Sequence, residues 1–256
     1  MIKSTFIASV AMAAAMLSVS QATILDLGTD GEGFINGAYF SVNSQHPTGT
    51  GTYNPFLTVH ANGREQGYNS ATGNFDTSRE PQWNHEIRFS DLEVTTISGI
   101  AYFGFSVDVN EPNGAGQSGI SLDGLQIFSS STIQNSTSVD ANGIFNGSLG
   151  NLHYSLDLGG DSTVLYDDQL SGSGAGDINM FIPVSAFAGV GQNDYIYMYQ
   201  LWGSADGTAG GFEETSLIHG LTVIPEMSSF FPIIGLAVAV AATRGLRRRR
   251  AAQLDA

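Results

Sequence analysis

Ala101-Tyr102-Phe103-Gly104-Phe105-Ser106-Val107-Asp108-Val109 is the stretch on which the fold turns. Phe103, Phe105, Val107 and Val109 share one face of an extended chain, and Tyr102, Gly104, Ser106 and Asp108 share the other. Apolar side chains at every second position bury one face of a strand and leave the other wet. The same period recurs along the chain. Ile178, Met180 and Ile182 alternate in another strand, and Leu152, Tyr154, Leu156 and Leu158 alternate with His153, Ser155 and Asp157. Tyr195 to Trp202 reads as a long aromatic strand.

Turn chemistry separates these runs. Asn-Gly pairs stand at 36–37, 62–63, 142–143 and 146–147, and Asp-Gly pairs at 30–31, 123–124 and 206–207. Such dipeptides suit the left-handed backbone of tight turns. No internal helix of any length is expected beyond a single turn at Pro183 to Phe187. About ten strands at 8–12-residue spacing predict an all-β fold, an antiparallel two-sheet sandwich, jelly-roll-like in size. No internal repeat emerges, which argues against a β-helix. The stretches Asn43 to Asn54 and Gly63 to Arg79 are expected to be long surface loops, and the Gly-rich Gly172 to Gly176 a flexible turn.

Both ends of the chain carry sorting features. Lys3 precedes an apolar, alanine-rich run from Phe6 to Val19, and Ser20 and Ala22 place small residues before a cleavage point. Residues 1–22 are therefore expected to be a signal peptide, cut between Ala22 and Thr23. Near the other end, Pro225-Glu226 leads into an uncharged run from Met227 to Thr243, followed by Arg244 and by Arg247, Arg248, Arg249 and Arg250. At 1.5 Å per residue that run spans roughly 25 Å as a helix, slightly short of a ~30 Å hydrocarbon core. With the amino end exported, the arginines satisfy the positive-inside rule. A transmembrane helix over 227–243 is expected, within a tail of 225–256.

The β domain expected between these ends, 23–224, is strongly acidic. It holds 22 acidic residues against three arginines and no lysine, a net charge of −19. That surface repels nucleic-acid phosphates and anionic lipid, so nucleic acid is excluded as a partner. Its aromatic and β-branched content argues for a packed core over disorder. The absence of cysteine removes thiol catalysis, Cys-zinc sites and any disulfide framework.

The Pro-Glu dyad, the marginal helix and the terminal arginine block together resemble the PEP-CTERM sorting signal of Gram-negative bacteria. Met227 stands where the usual core has a second proline. The resemblance covers about thirty residues. It implies processing by an exosortase-like transpeptidase near Pro225-Glu226, after signal peptidase has acted at the amino end. It also implies a transient inner-membrane stage, then release to the envelope, the surface or an exopolysaccharide matrix. Asp108 to Pro112, Ser121 to Ile127, Gly160 to Leu165 and Gly211 to Glu214 are similar to blocks recurring in the exported domains of such proteins.

Within the domain, oxygen ligands come first. Asp108, Asn110 and Glu111 at a strand end, with Asp123 a short way on, suit Ca²⁺, which takes six to eight oxygens in flexible geometry. Asp157, Asp161, Asp167 and Asp168 around Gly159-Gly160 form a second acidic group. Neither has EF-hand spacing, and acidic residues also crowd turns for backbone reasons alone. Trp83, in a loop, is the candidate carbohydrate contact. Tyr195, Tyr197 and Tyr199 alternate on one strand as a core face would. Glu213 and Glu214 point to opposite faces of a strand and do not flank one glycosidic bond. His46, His60, His85, His153 and His219 lack metal-ligand spacing, and His153 is expected to be a solvated surface residue. With no Gly-x-Ser-x-Gly elbow or phosphate loop, no catalytic residue is assigned. The expectation is an exported, non-enzymatic surface or matrix protein. The alternative is a carbohydrate-binding or glycan-cleaving jelly roll.

Overall fold

The computed structural model describes residues 22–42, 54–112, 117–167 and 176–219. The expected signal peptide up to residue 21, most of 43–54, Asp168, residues 172–175 and the whole 225–256 stretch, with Pro225, Glu226 and the C-terminal arginines, lie outside these residues. Among the described residues no helix is long and apolar enough to cross a membrane.

The described chain forms sixteen strands. The first eight are β1 (Ile24–Asp26), β2 (Glu32–Ile35), β3 (Ala38–Val42), β4 (Pro55–Val59), β5 (Asn62–Gly63), β6 (Glu65–Tyr68), β7 (Ile87–Arg88) and β8 (Val94–Ile97). The others are β9 (Ile100–Val109), β10 (Gly119–Ser130), β11 (Asn151–Ser155), β12 (Thr163–Asp167), β13 (Ile178–Pro183), β14 (Tyr195–Trp202), β15 (Thr208–Ala209) and β16 (Glu213–Leu217). Short helical turns occupy Leu27–Asp30, Phe89–Asp91 and Val184–Phe187. The last is the turn expected from sequence. The excess over ten strands comes partly from two-residue pieces such as β5, β7 and β15.

Two seven-stranded sheets carry the architecture. The first runs β1-β12-β10-β14-β6, with β11 also on β10 and β7 also on β14; the second runs β2-β3-β13-β9-β16-β4, with β8 also on β9. All pairs are antiparallel except β1 with β12, where Ile24 lies opposite Thr163 in parallel register. No hairpin ties these two strands, so nothing local imposes the antiparallel sense expected for every pair. After β1 the helical turn at Leu27–Asp30 hands the chain directly to β2 of the other sheet.

The strand that opened the sequence reading lines the core. Phe103, Phe105, Val107 and Val109 join Ile178, Met180 and Ile182 from the second sheet and Ile196, Met198 and Trp202 from the first in one buried cluster. Each such side chain contributes about 1.5–3 kcal/mol by leaving water. On β10 the inward set is Ile120 and Leu122, then Leu125 and Ile127. The parity changes because the register shifts between Leu122 and Gly124. Asp123-Gly124, expected as a turn, is therefore a bulge inside a long strand. Asn36-Gly37 is the turn it promised, with φ of 50° and 84° joining β2 to β3.

The stretch Gly63 to Arg79, expected as a surface loop, instead supplies β6 and then a closing strip. Residues 76–78 bond to both sheets: His60 N–H donates to Asp76 O and Ser78 N–H to Thr58 O, while Asp76 N–H donates to Gln66 O. The strip thus covers the free edges of β4 and β6, removing an exposed sheet edge. Residues 131–150 cover the outer face of the first sheet. Phe145 and Leu149 pack there on Tyr68, Phe128, Tyr197 and Tyr199.

Candidate functional site

The proposed calcium ligands are held apart by separate structural tasks. Asp108 lies on the outer face of the second sheet, opposite Glu214 in register. Asn110 uses its side-chain amide on Phe212 O at 3.1 Å. Glu111 accepts from Ala209 N–H at 2.7 Å. Asp123 belongs to the first sheet, where it accepts from Ser121 Oγ at 2.6 Å, Ser204 N at 2.7 Å and Thr163 Oγ1 at 3.2 Å. Among the described residues no three His, Asp or Glu side chains converge where a metal ion could be held. In the second acidic group, Asp157 accepts from Ser162 N–H at 3.0 Å and closes its own turn. Burial raises its pKa despite that bond, and the charges of Asp161 and Asp123 add to the rise.

The aromatic expectations divide. Tyr197 and Tyr199 are buried under the 131–150 segment, and Tyr195 is partly buried. Trp83 is 40% exposed. Its backbone carbonyl accepts from Thr58 Oγ1 at 3.0 Å, which ties its turn to the outer side of β4. His153 is not the free surface residue expected. Its ring bonds Ser129 Oγ at 2.7 Å and Ala186 O at 3.0 Å and stacks on Phe187 with centroids 5.2 Å apart. Ala22 is exposed, whereas Thr23 already bonds the first sheet through Ser162 Oγ and Thr163 N–H.

Two places concentrate unspent chemistry. One is an interior group of carboxyls at the end of the sandwich where β9, β14 and β4 finish. Glu65 is fully buried beside Trp202 in register, accepts from Ala61 N–H, and among the described residues has no donor for Oε1. Burial, with smaller pushes from the charges of Glu111 and Asp76, raises its pKa to about 8 against the pull of the Ala61 bond. Glu213, also fully buried, faces inward from β16, and among the described residues neither of its oxygens meets a donor. Glu214, on the opposite face, has its pKa raised by burial and then by Asp108.

The other place is an open cleft of about 390 Å³ against β4 and the closing strip, lined by Thr58, His60, Phe75, Asp76, Thr77, Ser78 and Phe212. His60 and Phe212 form a two-ring stack, with centroids 4.2 Å apart and planes 16° from parallel. The His60 ring and the Phe212 backbone are both held from behind. His60 Nε2 lies 3.2 Å from Gly210 O, and Phe212 O accepts from the backbone and side chain of Asn110. Phe75 sits at φ 47°, a left-handed conformation unusual for a bulky residue. It is clamped there by its neighbours: Thr77 Oγ1 donates to Asn74 O at 2.6 Å, and the Asn74 side chain bonds both backbone groups of Tyr68. Asp76 Oδ2 accepts from Gln66 N–H at 3.0 Å.

His60, Asp76 and Phe212 were not singled out as site residues by the sequence reading. His60 closes the apolar run 55–59, and Phe212 follows Gly210-Gly211, but no spacing links positions 60, 76 and 212. No protein-family model, no curated protein and no solved structure matches the chain.

Proposed function

We propose that this chain is an exported, non-enzymatic component of the cell surface or extracellular matrix, sorted through a PEP-CTERM-like tail. The observation that carries the reading is the order of Pro225-Glu226, the uncharged run to Thr243 and the Arg247–Arg250 block, following an acid-rich β domain. In this reading signal peptidase releases Thr23, and an exosortase-like transpeptidase acts near Pro225. The sandwich, jelly-roll-like in kind, then reaches the envelope or an exopolysaccharide matrix without its arginines. Removing the tail would leave a polyanion with three basic residues, a charge that keeps such a domain dispersed.

The distribution of polar groups supports a non-enzymatic role. Glycoside hydrolysis requires two carboxyls flanking one bond. The cleft has one, Asp76, and the Glu65 and Glu213 carboxyls are sealed in the interior. Mass spectrometry of the protein recovered outside the inner membrane tests the proposal. The expected chain begins at Thr23 and ends near Pro225; an exported chain that retains Arg247–Arg250 would overturn it.

A further inference from the structure

We infer that the cleft between β4, the closing strip and Phe212 is a binding site for a neutral saccharide, with the Phe212–His60 stack as its platform. The inference deepens the matrix reading and rests on it for the ligand's source, but the cleft geometry is independent of the tail.

Shape comes first. About 390 Å³ lies within the ~300–1,000 Å³ range of small-molecule sites and accommodates one or two sugar rings. Chemistry narrows the class. A pyranose presents C–H groups of slight positive charge on its faces and hydroxyls around its rim. Aromatic faces are electron-rich, so they attract the former. Phe212 is 49% exposed, a large apolar ring left in water. Its backbone and its stacking partner are both pinned, so little ordering is required when a ligand arrives.

The rim supplies partners for hydroxyls. Asp76 spends Oδ2 on Gln66 N–H, and among the described residues Oδ1 has no protein donor. A carboxylate oxygen accepts from a sugar O–H and offers no proton to compete. Ser78 Oγ accepts from Glu80 N–H, which leaves its own proton available. The strained Phe75 immediately precedes Asp76, and a left-handed backbone crowds the Cβ of any residue that has one. Retained strain of this kind clusters at ligand sites, because it fixes how a neighbour is presented.

Charge selects against other classes. No lysine or arginine lines the cleft, and the surrounding domain is strongly acidic. Uronates, sulfated glycans and phosphorylated ligands would meet Asp76 and a repulsive field. The remaining fit is a neutral hexose oligosaccharide.

The test uses saturation-transfer NMR on the purified full-length chain in mild detergent, with cellotetraose, maltotetraose and mannotetraose as neutral probes and an alginate tetramer as the anionic one. At least one neutral probe is expected to receive saturation at its ring C–H protons, and the alginate probe none. Phe212→Ala, at an exposed position, should keep the melting temperature and weaken binding at least tenfold. Asp76→Asn should weaken it several-fold. Phe34→Ala, which removes an exposed ring on the outer face of the second sheet, should leave it unchanged. Transfer to no neutral probe, equal transfer to alginate, or binding undiminished in Phe212→Ala would overturn the inference. The processed termini are read separately, so the sorting proposal and the saccharide site can fail independently.

Discussion

Glu65→Gln is expected to flatten the pH dependence of stability. The carboxyl has no solvent exposure, one bond from Ala61 N–H and no donor on its other oxygen. Burial first, then the charges of Glu111 and Asp76, lift its pKa from 4.5 to about 8. Between those values the folded protein holds a proton that the unfolded chain has released. The folded pKa is the higher one, so this contribution is intact below about 4.5 and is lost as pH rises toward about 8. At about 1.4 kcal/mol per unit, the loss comes to about 5 kcal/mol across the whole window and about 3 kcal/mol by pH 7. Glutamine has the same shape and no proton to exchange. Its amide carries two N–H donors where the protonated carboxyl carries one O–H, so absolute stability can shift and only the slope is diagnostic. Urea unfolding, followed by emission from the buried Trp202, measures that slope from about pH 5 to about pH 8. Glu214 and Asp157, whose pKa values are also raised, act in the same direction in both proteins and cancel from the difference. Parallel curves for the parent and Glu65→Gln would refute the reasoning.

Two further substitutions probe the packing that frames the site. Glu213→Met replaces two buried, undonated oxygens with an apolar chain of similar volume, and at neutral pH should raise urea stability by about 1–3 kcal/mol; an unchanged or lower midpoint argues against an orphaned carboxyl. Tyr68→Phe keeps the ring but loses the hydroxyl that accepts from Ser136 N–H at 2.9 Å and donates to Ser136 O at 3.1 Å. The expected loss is about 1–2 kcal/mol, with faster proteolytic nicking within 131–150; equal nicking rates would show that the segment is held by packing alone.

The inner faces were legible because a strand's period is exact over many residues. Phe103 to Val109 and Ile178 to Ile182 point where their alternation places them. Local turn chemistry worked at Asn36-Gly37 and failed at Asp123-Gly124, where an Asp-Gly pair serves a bulge whose carboxylate gathers the backbone of 204–205. His153 failed for a related reason. Alternation put it on the outward face, but the register shift between Ile127 and Phe128 leaves it as the extra residue of a bulge, turned to Ser129 and to the helical turn at Val184–Phe187. The site was the least legible part. The His60–Phe212 stack joins residues 152 positions apart, and Asp76 reaches them only through edge closure by the strip 76–78. A propensity reading treats Gly63 to Arg79 as loop, because its Gly, Asn and Thr content is that of a turn. The side-chain bonds of Asn74 and Thr77 are what convert it into structure.

The closing strip therefore joins features that would otherwise be separate. It seals the edges of β4 and β6, the left-handed Phe75 that leads into it sets the wall of the cleft, and its Asp76 contributes to the raised pKa of Glu65. Substitutions at Asp76 and Phe212 should consequently differ in kind. Removing the Asp76 charge relieves part of the pressure on Glu65, lowering its pKa and narrowing the window in which stability falls with pH. Removing the Phe212 ring leaves that window where it was. If the cleft were merely a by-product of edge closure, both residues would be dispensable for any ligand, and only Asp76 would leave a trace, in the pH profile. A variant pair that separates binding from titration in this way distinguishes a built site from a seam in the sandwich.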